Sequence, residues 1–214
     1  MNDTKFPLNT SLPIFVIAMT GVVALSNYLV QFPVQAQLGG VNLADLLTWG
    51  AFTYPVAFLV TDLTNRRFGA AKARVVVGAG FILAVAFSIW LATPRIAIAS
   101  GTAFLVAQLL DVSIFDRLRN STWWRAPLIS SLLGSAIDTV LFFGIAFAPA
   151  LGFLDFGGED GSLGFAVPFL GIGSDVPLWT SLAAGDFIVK ILVGLAMLVP
   201  YGIIARRSIA PQPV

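Results

Sequence analysis

Cysteine and histidine are both absent from this chain of 214 residues, and charged residues make up only 11% of it. The absence of cysteine excludes disulfides and thiolate chemistry, and the absence of both removes the usual zinc and haem ligands. Histidine is also the side chain whose ordinary pKa lies nearest neutrality, so proton handling must fall to carboxylates or lysine. We therefore expect no cofactor and no metal site.

Several enzyme motifs are also missing: a phosphate-binding loop, a zinc-protease helix and a Gly-x-Ser-x-Gly nucleophile elbow. Enzymes that depend on these motifs are disfavoured, so we expect that the chain is not an enzyme and has no nucleic-acid partner. A small membrane enzyme or scaffold, with Asp111 and Asp138 on a metal, is the alternative from a different class.

Apolar residues are abundant: 57% of the chain is hydrophobic and the mean hydropathy is +0.90. A soluble domain would carry roughly 25% charged residues, so the solvent for this surface must be the lipid bilayer. A transmembrane helix needs roughly 20 mostly apolar residues. The sequence thus predicts one all-α integral membrane domain over residues 1–214, with six spans at approximately 12–30, 46–63, 71–93, 96–115, 127–147 and 178–205.

Basic residues are distributed unequally between the two sides of this six-span arrangement. Ten of the 12 fall on one side, which are Lys5, Arg66, Arg67, Lys72, Arg74, Arg117, Arg119, Arg125, Arg206 and Arg207. Cytoplasmic loops are enriched in Lys and Arg, so we expect a bacterial inner-membrane protein with both termini in the cytoplasm. The loop 148–177, with Glu159 and Asp160, is then outside, as a surface loop or as a lid over a cavity.

Polar side chains inside the predicted spans are the candidate binding residues. Ionisable groups within a membrane are energetically unfavourable and tend to face a pathway in the bundle interior. The candidates for substrate binding are Asn27, Gln108, Asp111, Asp138, Asp186 and Lys190, together with Phe142 as a face for stacking. We interpret Asp62, which borders a basic linker, as a helix-end ion-pair residue.

Asp186 and Lys190 are four residues apart, so they share one helix face and can pair. They form either a self-neutralising pair or a substrate contact, and Asp138, at a similar depth, can compete for the ammonium. Gln108 and Asp111 share another face. Carboxylates, amides, one ammonium and aromatic rings suit a neutral or weakly charged planar heterocycle with several hydrogen-bond donors.

Short stretches along most of the chain resemble the queuosine precursor transporter family. They are Ser-Asn-Tyr-Leu-Val at 26–30, Phe-Thr-Tyr-Pro at 52–55, Leu-Val-Thr-Asp-Leu-Thr at 59–64, Gln-Leu-Leu-Asp-Val at 108–112 and Ile-Asp-Thr at 137–139, with Lys190 and Pro200-Tyr201. The chain departs from the family at Asn65, where a Glu is common, and at Ser135, where a Gln is frequent.

The resemblance implies a six-helix importer, similar in fold to the substrate-binding components of energy-coupling-factor vitamin transporters. The implied cargo is a 7-deazaguanine base, with preQ0, preQ1 and queuine as alternatives. The chain could act as a solitary carrier or as a binding subunit for a separate ATPase module. Ala18 and Val22 do not form an Ala-x-x-x-Ala docking pair, which favours the solitary carrier. Assembly into a homo-oligomer is an open alternative to a monomer.

Overall fold

The computed structural model describes residues 12–39, 41–91, 93–155 and 163–209. Its helices are α1 (Leu12–Leu29), α2 (Gly50–Thr53), α3 (Val56–Phe68), α4 (Ala70–Leu91), α5 (Pro94–Leu118), α6 (Arg125–Phe147) and α7 (Leu178–Ile209). Within these ranges, α1, α4, α5, α6 and α7 contain stretches long and apolar enough to cross a membrane. The predicted all-α membrane bundle is confirmed, and the chain is a multi-pass membrane protein.

Short strands and 3₁₀ turns occupy the connections. Strands β1 (Gln37–Leu38) and β2 (Val41–Asn42) form one antiparallel hairpin, and β3 (Ala166–Pro168) and β4 (Asp175–Pro177) form another. The 3₁₀ turns lie at Leu43–Asp45, Pro149–Leu154 and Phe169–Gly171.

The predicted second span, 46–63, is the one that differs from the structure. It is divided into α2 and α3 by Tyr54 and Pro55, because proline has no N–H to continue the helical ladder. Main-chain hydrogen bonds between residues three apart, as in a 3₁₀ turn, follow the break. They run from Ala57 N to Tyr54 O at 3.0 Å and from Phe58 N to Pro55 O at 3.1 Å. Six is therefore an approximate count, made of five long helices and this broken one.

Local sequence explains where the neighbouring helices begin and end. Thr93 caps α5, since its hydroxyl accepts a hydrogen bond from Ile96 N, and Pro94 occupies the first helical turn. Gly69 ends α3 with φ of +82°, a conformation that other residues rarely adopt, so the chain turns at once into α4.

The bundle has two chemically different ends. The loop end is where α1 and α6 end, α5 and α7 begin, and both hairpins lie. The basic end is where α3 and α5 end and α4 and α6 begin. There the guanidinium groups of Arg66 and Arg119 each donate to the other residue's main-chain carbonyl, which ties α3 to the end of α5.

Arg95 holds the described part of the 148–177 loop against the bundle. Its guanidinium donates to Asp155 Oδ2 at 2.8 Å, Ala148 O at 2.6 Å and Ile145 O at 2.8 Å. The acidic residues Glu159 and Asp160 of the loop that we predicted to lie outside belong to the segment 156–162, which is not among the described residues.

Burial in this chain is inverted relative to a soluble protein. Large apolar side chains such as Ile17, Ile82 and Val140 are about 70% exposed, whereas Asp111 and Lys190 are buried. Such a surface is stable in lipid, and the buried ionisable groups make the interior the candidate location of a functional site.

Close helix packing surrounds this interior, and Gly134 of α6 shows how close it is. A Cβ at position 134 would lie 2.7 Å from Phe58 Cε1 and 3.4 Å from Ala107 O. Gly134→Ala is therefore expected to destabilise the protein by about 1–3 kcal/mol, through overpacking. The measurement is the melting temperature of the purified protein in detergent.

Gly144→Ala is the matched control, because a Cβ at position 144 on the same helix meets no atom within 4 Å. It should not destabilise the protein, and it can stabilise the helix by up to about 1 kcal/mol, because alanine favours a helix more than glycine does. Equal melting temperatures for both variants would contradict the close approach of α6 to α3 and α5.

Candidate substrate-binding site

A cavity of about 530 Å³ lies between the helices towards the loop end. Small-molecule sites typically measure about 300–1,000 Å³, so the space suits one compact ligand. The apolar part of its wall is formed by Val30, Leu46, Leu47, Ile96, Phe142, Phe143, Phe147 and Leu182. The polar part includes Ser26, Asn27, Gln31, Thr48, Tyr54, Ser100, Asp138, Asp186 and Lys190.

Lys190 of α7 is the centre of a buried ion cluster at the inner wall of the cavity. Its ammonium lies 2.6 Å from Asp138 Oδ2 of α6 and 2.5 Å from Asp186 Oδ2, one turn earlier on α7. It also donates to Thr139 Oγ1 at 3.3 Å, and that hydroxyl donates to Asp186 Oδ2 at 2.9 Å. The cluster therefore joins α6 to α7 and aligns both carboxylates.

Tyr54 completes this cluster from the break between α2 and α3. Its hydroxyl donates to Asp138 Oδ1 at 2.9 Å, and its ring centroid lies 5.3 Å from the Lys190 ammonium. Tyr54 lies at the end of α2, where its main chain is still helical and its N–H donates to Gly50 O at 3.0 Å. The segment of α2 and α3 thus contributes a third element to the ion cluster, besides α6 and α7.

Asp186 is the carboxylate of the cluster that is available to a ligand. Both oxygens of Asp138 are occupied, by Tyr54 and by Lys190. Asp186 uses Oδ2 for Lys190 and Thr139, and among the described residues no donor reaches Oδ1. The Asp186 side chain is also more exposed, at 17% against 6% for Asp138. A ligand N–H can therefore bind Asp186 Oδ1 without breaking the ion cluster.

The helices that hold this cluster match a known family. The family described as "Putative vitamin uptake transporter" matches residues 48–93 and 88–204, which include Tyr54, Asp138, Asp186 and Lys190. The chain belongs to this family. Membership in this vitamin uptake transporter family confirms that the chain is a transporter rather than an enzyme.

Curated relatives agree with the vitamin uptake transporter family. The "Probable queuosine precursor transporter" of Haemophilus influenzae is 36% identical over 211 residues, covering 86% of this chain and 81% of the relative. The "Queuosine precursor transporter" of Escherichia coli is 43% identical over 147 residues, covering 59% of this chain and 64% of the relative. A Bacillus subtilis protein named "Probable queuosine precursor transporter" is 25% identical over 190 residues, covering 76% of this chain and 72% of the relative. No solved structure matches the chain.

The structure separates the predicted binding residues into two groups. Five of the seven line the cavity of this vitamin uptake transporter, namely Asn27, Asp138, Phe142, Asp186 and Lys190. Gln108 and Asp111 do not line it and are fully buried where α3, α5 and α6 meet. We predicted that Asp138 and Asp186 could compete for the Lys190 ammonium. In the structure the ammonium contacts both carboxylates at once.

Sequence reasoning missed Tyr54, which was not among the candidate binding residues. The available signal was the adjacent Pro55, since a proline inside a span breaks the helix and frees neighbouring groups to face a cavity. Asp62, interpreted as a helix-end ion-pair residue, accepts hydrogen bonds from Ser130 and Ser131 instead. Among the described residues Asp62 has no ion-pair partner.

Aromatic rings form one side of the cavity near the end of α6. Phe142 packs edge-on against Phe143 and Phe147, with ring centroids 5.1 and 6.2 Å apart. Aromatic pairs in this arrangement are rigid contact surfaces. The cavity therefore combines a flat apolar wall with a hydrogen-bonding wall at Asp186.

Proposed function

We propose that this chain imports queuosine precursors, as 7-deazaguanine bases, across a bacterial inner membrane. The observation that carries the proposal is the available oxygen of Asp186 in a cavity that also has an aromatic wall. A 7-deazaguanine ring carries adjacent N–H and amino donors on one edge, which suit a carboxylate acceptor. Its flat face suits Phe142.

The charge of the cavity supports a base over a phosphorylated cofactor or a carboxylated vitamin. Lys190 is the only cation among the described residues that line the cavity, and two carboxylates already contact it. The cluster of Asp138, Asp186 and Lys190 thus has a formal charge of −1 with each group ionised. An anionic ligand would meet repulsion there, whereas a neutral or cationic base would not.

The names of the relatives also support a queuosine precursor as the substrate, because all three reported above are named as queuosine precursor transporters or probable ones. Within that class, the negative cluster favours the aminomethyl base preQ1, which carries an ammonium at neutral pH, over the uncharged nitrile preQ0.

Uptake in cells that cannot synthesise 7-deazaguanines and lack their own carrier tests the proposed function. Cells that express this chain should accumulate labelled preQ1 and preQ0, and unlabelled preQ1 should compete better than preQ0. Labelled riboflavin is the control for general leakage. Uptake no greater than that of cells with an empty vector, at confirmed expression, would overturn the proposal.

The proposed orientation places the basic end in the cytoplasm and the loop end outside, with both termini cytoplasmic. Because the chain has no cysteine, single-cysteine variants report sidedness without a background. Ile172→Cys at the loop end should react with a membrane-impermeant thiol reagent in intact cells. Ser121→Cys at the basic end should react only after permeabilisation.

Both positions are exposed, so the comparison depends on sidedness rather than burial. Labelling of both variants in intact cells, or of Ser121→Cys alone, would contradict the orientation.

A further inference from the structure

A second buried polar cluster, separate from the cavity, contains two carboxyl groups and no cation in contact with them among the described residues. Asp62 of α3 and Asp111 of α5 are 1% and 0% exposed, and they lie between two hydrogen bonds that join α3 to α5, from Thr61 to Gln108 and from Asn65 to Val112 O. Two adjacent carboxylates in a dry interior cannot both ionise without a large repulsion. The pair therefore needs a bound positive species.

The hydrogen bonds of the pair show which oxygens are available to bind that species. Asp62 accepts from the Ser130 and Ser131 hydroxyls at 3.3 and 3.4 Å, both long for O–H···O bonds. Neither oxygen of Asp111 accepts a hydrogen bond from any described donor. A fully buried carboxylate without a donor is unstable. A proton shared between the two acids removes that deficit, because one carboxyl then donates to the other.

The deficit extends to the amide groups nearby. Gln108, one turn before Asp111 on α5, receives a hydrogen bond from Thr61 on its oxygen, but its Nε2 has no described partner. Asn65, one turn after Asp62, bonds Val112 O through Nδ2, and its Oδ1 has no described partner. These fully buried, unpartnered atoms lie on the same turns as the acids, and buried polar groups normally have a hydrogen-bond partner, which a small polar species between α3 and α5 would supply.

Charged groups around the pair do not neutralise it. At the basic end, Arg66 and Arg119 bond main-chain carbonyls, and Arg119 also pairs with Asp116 at 3.1 Å. On α4, Lys72 and Arg74 are exposed. On α6 the nearest ionisable residue is Arg125, five or six residues before the two serines, which is about 7.5–9 Å along a helix; it is exposed, with its guanidinium over the Trp124 ring. Asp138 follows the two serines by seven or eight residues, about 11–12 Å along the helix. From α7 the facing groups are Tyr201 and Lys190.

A small void lies between Asp62 of this pair and Lys190 of the ion cluster. Its volume is about 10 Å³, and its wall includes Asp62, Ser131, Ser135, Lys190 and Tyr201. That space is close to the minimum for one water molecule, and hydroxyl groups line it. A water there would lie between Asp62 and Lys190, whose three ammonium protons bond Asp138, Thr139 and Asp186.

We propose that Asp62 and Asp111 bind the proton that drives transport, and that the void at Ser131 and Ser135 links this site to Lys190. This inference rests on the proposed function, since it names the ion that moves with the base. The pair lies between the cavity and the basic end, so a proton that enters with the substrate leaves towards the cytoplasm. A change in the Lys190 cluster on substrate binding alters the potential at Asp62 and the affinity of the pair for its proton.

Reconstituted protein separates coupling from substrate movement. Vesicles with an inward proton gradient measure accumulation of labelled preQ1, and vesicles without a gradient measure exchange of labelled for unlabelled base. Asp111→Asn mimics the protonated acid, so it should lose accumulation at least tenfold and keep exchange within twofold of the native rate. Asp62→Asn should behave alike, and Asp116→Asn, on the same helix but outside the pair, should keep both activities.

An infrared spectrum provides a readout that needs no substrate. The native protein should show a carboxylic-acid C=O band that Asp111→Asn or Asp62→Asn removes and Asp116→Asn retains. Any of four results would overturn the coupling. They are absence of that band, gradient-driven accumulation by Asp111→Asn, a loss of exchange in Asp111→Asn as large as its loss of accumulation, and accumulation that follows sodium instead of protons. Absence of exchange in the native protein, with the band present, would overturn the proposed substrate and its coupling while leaving the bound proton demonstrated.

Discussion

Replacement of Lys190 by methionine is expected to reduce uptake of 7-deazaguanine bases to background and to lower the melting temperature. Methionine removes the ammonium that lies 2.6 Å from Asp138 and 2.5 Å from Asp186, and leaves two buried carboxylates together. Removing one partner of a buried ion pair costs about 3–5 kcal/mol. Uptake at matched expression and thermal unfolding in detergent measure the two effects.

The double variant Lys190→Met with Asp186→Leu separates a binding role from a structural one. It restores the formal charge of the cluster to −1, so part of the lost stability should return. Uptake should remain absent, because the acceptor oxygen of Asp186 and the partner of Asp138 are both gone. Recovery of native uptake by the double variant would show that the ion cluster only stabilises the fold.

Asp186→Asn is expected to lower uptake at limiting substrate by about 10–100-fold. The variant keeps the size of the side chain but removes the charged acceptor at Oδ1. A hydrogen bond to a charged group contributes about 1.5–3 kcal/mol, and each 1.4 kcal/mol is a tenfold change in affinity. Stability should change less than in Lys190→Met, since Lys190 retains Asp138. The measurement is the concentration dependence of initial uptake.

Asp175→Asn is the matched control, because Asp175 lies in exposed strand β4 outside the cavity wall. It removes one acidic charge from the chain and should leave uptake unchanged. Near-native uptake by Asp186→Asn at limiting substrate would remove Asp186 from the binding site. An equal loss in Asp175→Asn would attribute the effect to net charge.

The bundle itself was predictable from the sequence because its causes are local. Backbone groups in lipid must be bonded within each helix, so long apolar runs indicate helices directly. Four predicted spans agree with α1, α4, α6 and α7 to within a few residues, and α5 extends its predicted span at both ends. The spacing of Asp186 and Lys190 predicted their contact for the same reason, since both belong to one helix.

Contacts between helices required the tertiary structure. Depth in the membrane can be counted along a sequence, but the rotation of each helix about its axis depends on packing with its neighbours. That rotation places Asp138 against Lys190 and directs Asp111 away from the cavity towards Asp62. The sequence alone treated Asp111 and Asp138 as members of one set of candidates and assigned Asp62 to a helix-end ion pair.

What the sequence by itself determined is therefore the class of molecule, its helices and the depth of its polar residues. Only the tertiary structure decided that Tyr54 bonds Asp138 in the cavity wall, and that Asp62 and Asp111 lie together outside the cavity. The physical reason is that hydropathy and helix periodicity act within one segment, whereas a site between helices depends on how several segments pack together.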